Sequence, residues 1–243
     1  MELIFVHGAL VRDGEWWWRP TARLLEERAG IRSRALELPS CGEALAPDGS
    51  RGLVADATAL RQALDELDDG RAVVVGHSYG GTVIAEAGPH PAVARLVLIS
   101  SYLPAVGESQ GSILAGEPDP VAVAIADADA AAGSGAGALE LDGYDAETFG
   151  ARFLHDGDTG VQREAFARLT PQHVESFVTP TTSAGWQGAD STYLLCADDR
   201  STTPGLQRRE GARATRMLEL PAGHHPFLTR PDLVAEAIAG LVA

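Results

Sequence analysis

The stretch Val73-Val74-Val75-Gly76-His77-Ser78-Tyr79-Gly80-Gly81 decides how the rest of the chain is read. Three β-branched residues in a row read as a buried strand, and the residues from Tyr79 to Ala87 carry apolar side chains at helical spacing. Between the two patterns the chain must turn sharply from strand to helix. Gly76 and Gly80 frame Ser78 in a G-x-S-x-G pattern, the signature of a nucleophile elbow, whose crowded turn needs residues without side chains. Such a turn lifts the serine hydroxyl clear of a sheet and points a helix N-terminus at it, which favours developing negative charge.

Working outward, apolar runs at 3–6, 34–38, 95–99, 192–196 and 215–220 read as further strands beside 72–75. Amphipathic stretches at 17–29, 53–67, 79–87, 204–211 and 232–242 read as helices. Strands alternating with helices imply right-handed βαβ units, hence an α/β fold with a mostly parallel sheet of about six strands covered on both faces. In such sheets ligands bind at the edge where strand ends gather. The alternation fails between 104 and 185, where no convincing strand occurs but several short helical pieces do. The expected organisation is a core of 1–103 and 186–243 with a helical cap, 104–185, inserted between two strands. Residues 116–143 within it are rich in Ala, Asp and Gly and are expected to be mobile. A lid over the site is the reading that gives this insertion a purpose, since surface insertions cost little in closure entropy.

A serine hydroxyl is a weak nucleophile at neutral pH and needs a base, itself held by an acid. In this architecture the order along the chain is serine, acid, histidine. Asp199 follows the run Tyr193-Leu194-Leu195-Cys196, in Ala197-Asp198-Asp199-Arg200. His224 follows the last strand, in Pro221-Ala222-Gly223-His224-His225-Pro226-Phe227. Each then reaches the same sheet edge as Ser78. Asp198 and His225 are immediate neighbours, and placement alone gives Asp199 and His224 only a modest edge over them. His7 and His77 lie inside turn motifs, and His90, His155 and His173 have no strand-end context. The oxyanion of an acyl-transfer intermediate needs backbone donors, for which the amides of Tyr79 and of Ala9, in Phe5-Val6-His7-Gly8-Ala9, are placed.

Composition narrows the chemistry further. The chain has 243 residues, enough for one large domain with a full core, and 45% of them are hydrophobic. Its formal charge of −15 repels phosphate backbones and anionic lipid heads, so neither nucleic acid nor a membrane surface is an expected partner. No apolar run approaches the roughly 20 residues that span a bilayer, and the N-terminus opens on a strand pattern rather than a signal peptide. A cytoplasmic protein acting on a small molecule is expected; oligomeric state is not legible. There is no lysine and no asparagine, and all 19 basic residues are arginine. That excludes a lysine Schiff base, a Ser–Lys dyad, a P-loop lysine and a Cys-His-Asn site. Cys41 and Cys196 are too few for a disulfide framework or a cysteine zinc site, and no metal or organic cofactor is expected.

These stretches together resemble the α/β-hydrolase superfamily, and within it the compact group of plant methyl esterases and hydroxynitrile lyases. The resemblance runs over essentially the whole chain, from Val6-His7-Gly8-Ala9 through the elbow and Ala197-Asp198-Asp199-Arg200 to Gly223-His224-His225-Pro226-Phe227-Leu228. It implies the α/β-hydrolase fold, and it implies Asp199 as the acid and His224 as the base. The chain departs from the group in the loop from Leu10 to Glu15, which is about two residues longer. Trp16-Trp17-Trp18 beyond it is read as helix packing, with one tryptophan facing the pocket. The lyases of the group carry a lysine where this chain has His225 and a threonine where it has Gly8, so cyanohydrin cleavage is not implied. The expected activity is hydrolysis of small-molecule carboxylic esters through an acyl-enzyme. The alternatives are a thioesterase, cyclase or carbon–carbon lyase using the same triad, and a ligand-binding receptor on the same fold.

Overall fold

The computed structural model describes residues 1–43, 49–67, 71–126 and 137–242. Alanine-rich 130–135, the centre of the stretch expected to be mobile, lies outside the described residues. Six strands form the central sheet. In chain order the first four are β1 (Glu2–Val6), β2 (Ser33–Ala35), β3 (Ala72–His77) and β4 (Val93–Ile99). Three short strands follow in the insertion: β5 (Val123–Ile125), β6 (Ala138–Leu141) and β7 (Gln172–His173). The sheet resumes with β8 (Ser191–Cys196) and β9 (Arg216–Leu220), giving the spatial order β2-β1-β3-β4-β8-β9. Every pairing in it is parallel.

Side chains alternate across a strand, and in β1, β3 and β8 both faces are buried, which is why these strands read as nearly unbroken apolar runs. Leu3, Phe5, Val73, Val75 and Val97 point into one layer with Trp17, Trp18, Val234 and Ile238. Ile4, Val6, Val74, Leu96 and Leu98 point into the other with Leu53, Leu60, Val83 and Ile84. The first layer is covered by α1 (Gly14–Ala29) and by Pro231–Val242, the second by α2 (Gly52–Asp65) and α3 (Gly80–Ala87). Trp18 is stacked between Phe5 and Phe227, with centroids 4.4 and 3.9 Å away, so the tryptophan cluster is helix packing.

Strand β2 begins one residue earlier than expected and ends three earlier. The Leu36 amide still donates to the Phe5 carbonyl at 2.8 Å, but the Leu38 amide turns away to Glu43, and Pro39 opens a 3-10 turn. The insertion differs more. Besides α4 (Gln110–Leu114), α5 (Ala146–Phe153), α6 (Thr159–Phe166) and α7 (Glu175–Val178), it holds the antiparallel sheet β5-β6-β7. Strands this short cannot display an alternation, so the expectation of a strand-free insertion fails. Three more helices, α8 (Pro204–Gly211), α9 (Pro226–Thr229) and α10 (Pro231–Val242), complete the described chain. Among the described residues no helix is long and apolar enough to cross a membrane.

Candidate active site

Ser78 sits where β3 gives way to α3, with φ of 50°, a left-handed conformation that costs a residue bearing a Cβ about 1–2 kcal/mol. The neighbours explain the glycines. A Cβ on Gly76 would lie 2.6 Å from Ile84 Cδ1, and one on Gly80 would strike the Val6 carbonyl oxygen of the adjacent strand. The crowding therefore comes from strand and helix, not from the serine itself. The turn is fixed by the Ser78 amide donating to the Ile99 carbonyl at 3.2 Å, and by the Ser101 hydroxyl donating to the Ser78 carbonyl at 2.7 Å. Ser78 is 8% exposed.

The loops after β8 and β9 bring Asp199 and His224 together. His224 Nδ1 donates to Asp199 Oδ2 at 2.8 Å, with both side chains buried. The carboxylate accepts widely: Oδ1 takes the amides of Ser201 at 2.7 Å and Thr202 at 3.0 Å, and Oδ2 takes Gln207 Nε2 at 3.1 Å and the Ser100 hydroxyl. That many donors hold the carboxyl group in one orientation. Asp198, next along, is exposed. His225 turns the other way, its Nδ1 donating to the Phe153 carbonyl at 3.1 Å while its ring stacks on Trp17 with centroids 4.9 Å apart. The two near-duplicates are thus separated by burial and by partner, with Asp199 and His224 forming the bonded pair.

On the other side of Ser78 the loop after β1 approaches closely. A Cβ on Gly8 would lie 2.9 Å from His77 Nδ1 and 3.2 Å from Ser78 Cβ, so only glycine lets this backbone reach the serine. Among the described residues no acceptor is found for the amides of Ala9 or Tyr79, the two donors expected for an oxyanion. His7 secures the loop, donating from Nδ1 to the Gly8 carbonyl at 2.8 Å and pairing its Nε2 with Glu43 at 2.7 Å. Burial pulls the His7 imidazole down, yet the hydrogen bond and charge of Glu43 carry it above its ordinary value. Burial likewise pushes Glu43 up, and His7 outweighs that to hold it below the usual carboxylate range.

Ser78 and His224 face one cavity of about 330 Å³. Gly8, Ala9 and His77 line it from the core, and Leu114, Val121, Leu139, Phe149 and Phe177 line it from the insertion. Its acidic residues are Glu117 and Asp119, and no arginine is among the described lining residues. None of the tryptophans lines it, against the expectation for one of them.

His77, His224 and His225 are the cluster whose ligand atoms come within 4.8 Å of one another. Burial drives the imidazoles of His77 and His225 well below their ordinary values, so both are neutral at pH 7. Tetrahedral zinc needs its nitrogens about 3.4 Å apart. Each ring has also committed one nitrogen to the protein, His77 Nε2 to the His224 carbonyl at 2.9 Å included.

Several polar groups around the site escaped the sequence reading. Ser100 bonds Asp199 and lies 3.2 Å from His224 Nδ1; it immediately follows β4, the same sheet edge that singled out Asp199, so strand-end position was the available signal. Gln207 and Tyr102 had none. The Tyr102 hydroxyl is buried 2.9 Å from Thr202 Oγ1 and lines the cavity beside Ser78.

Comparison with known proteins agrees with this architecture. Residues 3–237 match the model of the Alpha/beta hydrolase family. A carbendazim hydrolyzing esterase of Nocardioides sp. is 29% identical over 252 residues, covering 98% of both chains. The crystal structure of a pyrethroid hydrolase superposes with a TM-score of 0.78 at 25% identity, covering 100% of this chain and 97% of that one. A methylesterase from Arabidopsis superposes with a TM-score of 0.75 at 16% identity, covering 100% and 98%; at that identity the likeness concerns the fold.

Proposed function

The chain belongs to the alpha/beta hydrolase family, and on that premise we propose that it is a serine-dependent hydrolase of small, uncharged carboxylic esters. The observation that carries this reading is the shared cavity: Ser78, on its left-handed elbow, and His224, bonded to buried Asp199 at 2.8 Å, face the same apolar space.

His224 Nε2 takes the proton of Ser78 as its oxygen attacks the ester carbonyl, with Asp199 fixing the tautomer and stabilising the imidazolium. The tetrahedral oxyanion is received by the amides of Ala9 and Tyr79, each worth about 10²–10³ in rate. The alcohol leaves with the proton from His224, and water activated by the same ring releases the acid. No step calls on a cofactor. The segment 104–185 serves as the cap, and its apolar lining selects the acyl or alcohol group. With Glu117 and Asp119 as acidic residues and no arginine among the described lining residues to receive an anion, the cavity suits neutral esters. The names of the relatives point the same way, since one is called a carbendazim hydrolyzing esterase and another, 28% identical, a pyrethroid hydrolase.

The test is chemical. A fluorophosphonate should label the protein once, at Ser78, and abolish turnover of p-nitrophenyl esters in step with labelling. Turnover surviving complete labelling would end the proposal, as would a label on another residue.

A further inference from the structure

The two oxyanion amides belong to different parts of the chain, Ala9 to the loop after β1 and Tyr79 to the elbow, and catalysis needs them to converge on one oxygen. A buried hydrogen-bonded chain joins the two. Next to Ala9, the Leu10 amide donates to Gln172 Oε1 at 2.9 Å, and Leu10 has φ of 62°. Gln172 Nε2 donates to Ser40 Oγ at 2.9 Å, and Ser40 Oγ donates to Asp56 Oδ2 at 2.5 Å. From the opposite end the Tyr79 hydroxyl donates to the same Asp56 oxygen at 2.7 Å. The Ser40 amide closes the set, donating to Asp56 Oδ1 at 2.9 Å. Gln172, Asp56 and Tyr79 are all 0% exposed, and Ser40 is 2%.

The chain has a direction. From the Leu10 amide every donor points toward Asp56, and from Tyr79 the donor points back at it, so one carboxylate terminates both halves. Burying a carboxylate here is costly: burial pushes Asp56 up to about 6 against the bonds from Ser40 and Tyr79 that pull it down. Among the described residues the charge acting on it is that of His7, which also pulls it down, and Cys41 and Tyr79 are titratable neighbours that its own charge pushes up. A group whose placement is this unfavourable, and which touches none of the reacting atoms, calls for a role. The insertion reinforces the same loop: the Thr170 amide donates to the Leu10 carbonyl and the Arg12 amide to the Arg168 carbonyl, each at 3.0 Å.

We propose that Asp56 and Gln172 are positioning residues that hold the Ala9 and Tyr79 amides in register, so that the insertion and the sheet core set the oxyanion hole together. This rests on the serine mechanism above. Removing either residue leaves buried donors without acceptors and frees one amide relative to the other. Because the oxyanion exists only in the transition state, the loss falls on kcat and not on KM.

The experiment measures kcat per active site, with sites counted by fluorophosphonate titration so that unfolded protein does not register. Asp56→Asn and Gln172→Leu should each lower kcat about 10- to 50-fold, a fraction of a full donor's worth, with KM within about two-fold. The double variant should lose little more than the worse single one, because both cut the same chain. Tyr79→Phe, which removes one hydroxyl and keeps the ring, should lose about 3- to 10-fold and serves where Asp56→Asn fails to fold. Per-site kcat within two-fold of wild type, a loss carried by KM, or losses that multiply in the double variant would each overturn the assignment. If the wild-type protein takes no label at Ser78, the serine reading falls and this one with it. Normal labelling with unaffected variants overturns only the positioning role.

Discussion

The sheet edge and the insertion meet over Ser78, and they are built on opposite plans. At the edge hydrogen bonds fix the key groups: Asp199 accepts from His224, Ser100, Gln207 and two backbone amides, and the Ser78 turn is pinned to β4. The insertion presents the cavity mostly with aliphatic and aromatic side chains on short strands and helices. Hydrogen bonds fix atoms in direction, whereas apolar packing fixes only volume. On the serine mechanism we propose, the difference assigns chemistry to the edge and choice of substrate to the insertion, with Gln172 as the point where one grips the other.

Substitutions should divide along that line. Ser78→Ala is expected to lower ester hydrolysis by about 10⁴–10⁶ with the fold intact by circular dichroism, and a fall of only a few-fold would dissolve the contrast altogether. Asp199→Asn should cost about 10³–10⁴ in kcat by favouring the wrong imidazole tautomer, while Asp198→Asn, at an exposed position, should change kcat less than two-fold. Equal losses from the two would mean that the wrong carboxylate has been chosen. On the insertion, Leu114→Trp narrows the cavity, so KM for bulky aromatic esters should rise about ten-fold and that for acetates stay within two-fold. A uniform loss of kcat across the ester panel would instead place the insertion in the chemistry.

The smallest effect tests the loop that joins the regions. His7, raised, stabilises the fold fully below its ordinary 6.5 and loses that contribution as pH rises through its folded value. Glu43, lowered, contributes above its ordinary 4.5 and loses it as pH falls through its folded value. The stability lost in Glu43→Gln, about 1–2 kcal/mol, should therefore be greatest between these ordinary values and shrink on either side. Denaturant melts across pH measure it, and a difference independent of pH would deny the pair its charge.

The same contrast explains what the sequence disclosed. The sheet was legible because strands buried on both faces need continuous apolar runs, as at 73–75 and 193–196, and the elbow because its serine and glycines stand at fixed spacing between a strand run and a helix pattern, although the contact that Gly80 avoids is with distant Val6. By placement alone the pairs Asp198/Asp199 and His224/His225 stay close in rank, because adjacent loop residues share their strand-end position, and only the family resemblance favoured one of each. What separates them, exposure of Asp198 and the Phe153 carbonyl beside His225, is three-dimensional. The strands β5 to β7 are too short to show a period. The chain through Gln172, Ser40 and Asp56 joins residues far apart in sequence, and nothing local marks a glutamine or a serine as half of such a bond.

One torsion angle carries a wider consequence. With φ at 50°, Ser78 keeps a conformation that glycine would adopt without penalty, so the position we propose as reactive is also one where the chain is ill at ease. A chain with glycine there would be inert yet harder to melt by about 1 kcal/mol. On the proposed mechanism turnover and durability compete at a single residue, and a relative that only binds its ligand would be free to relax it.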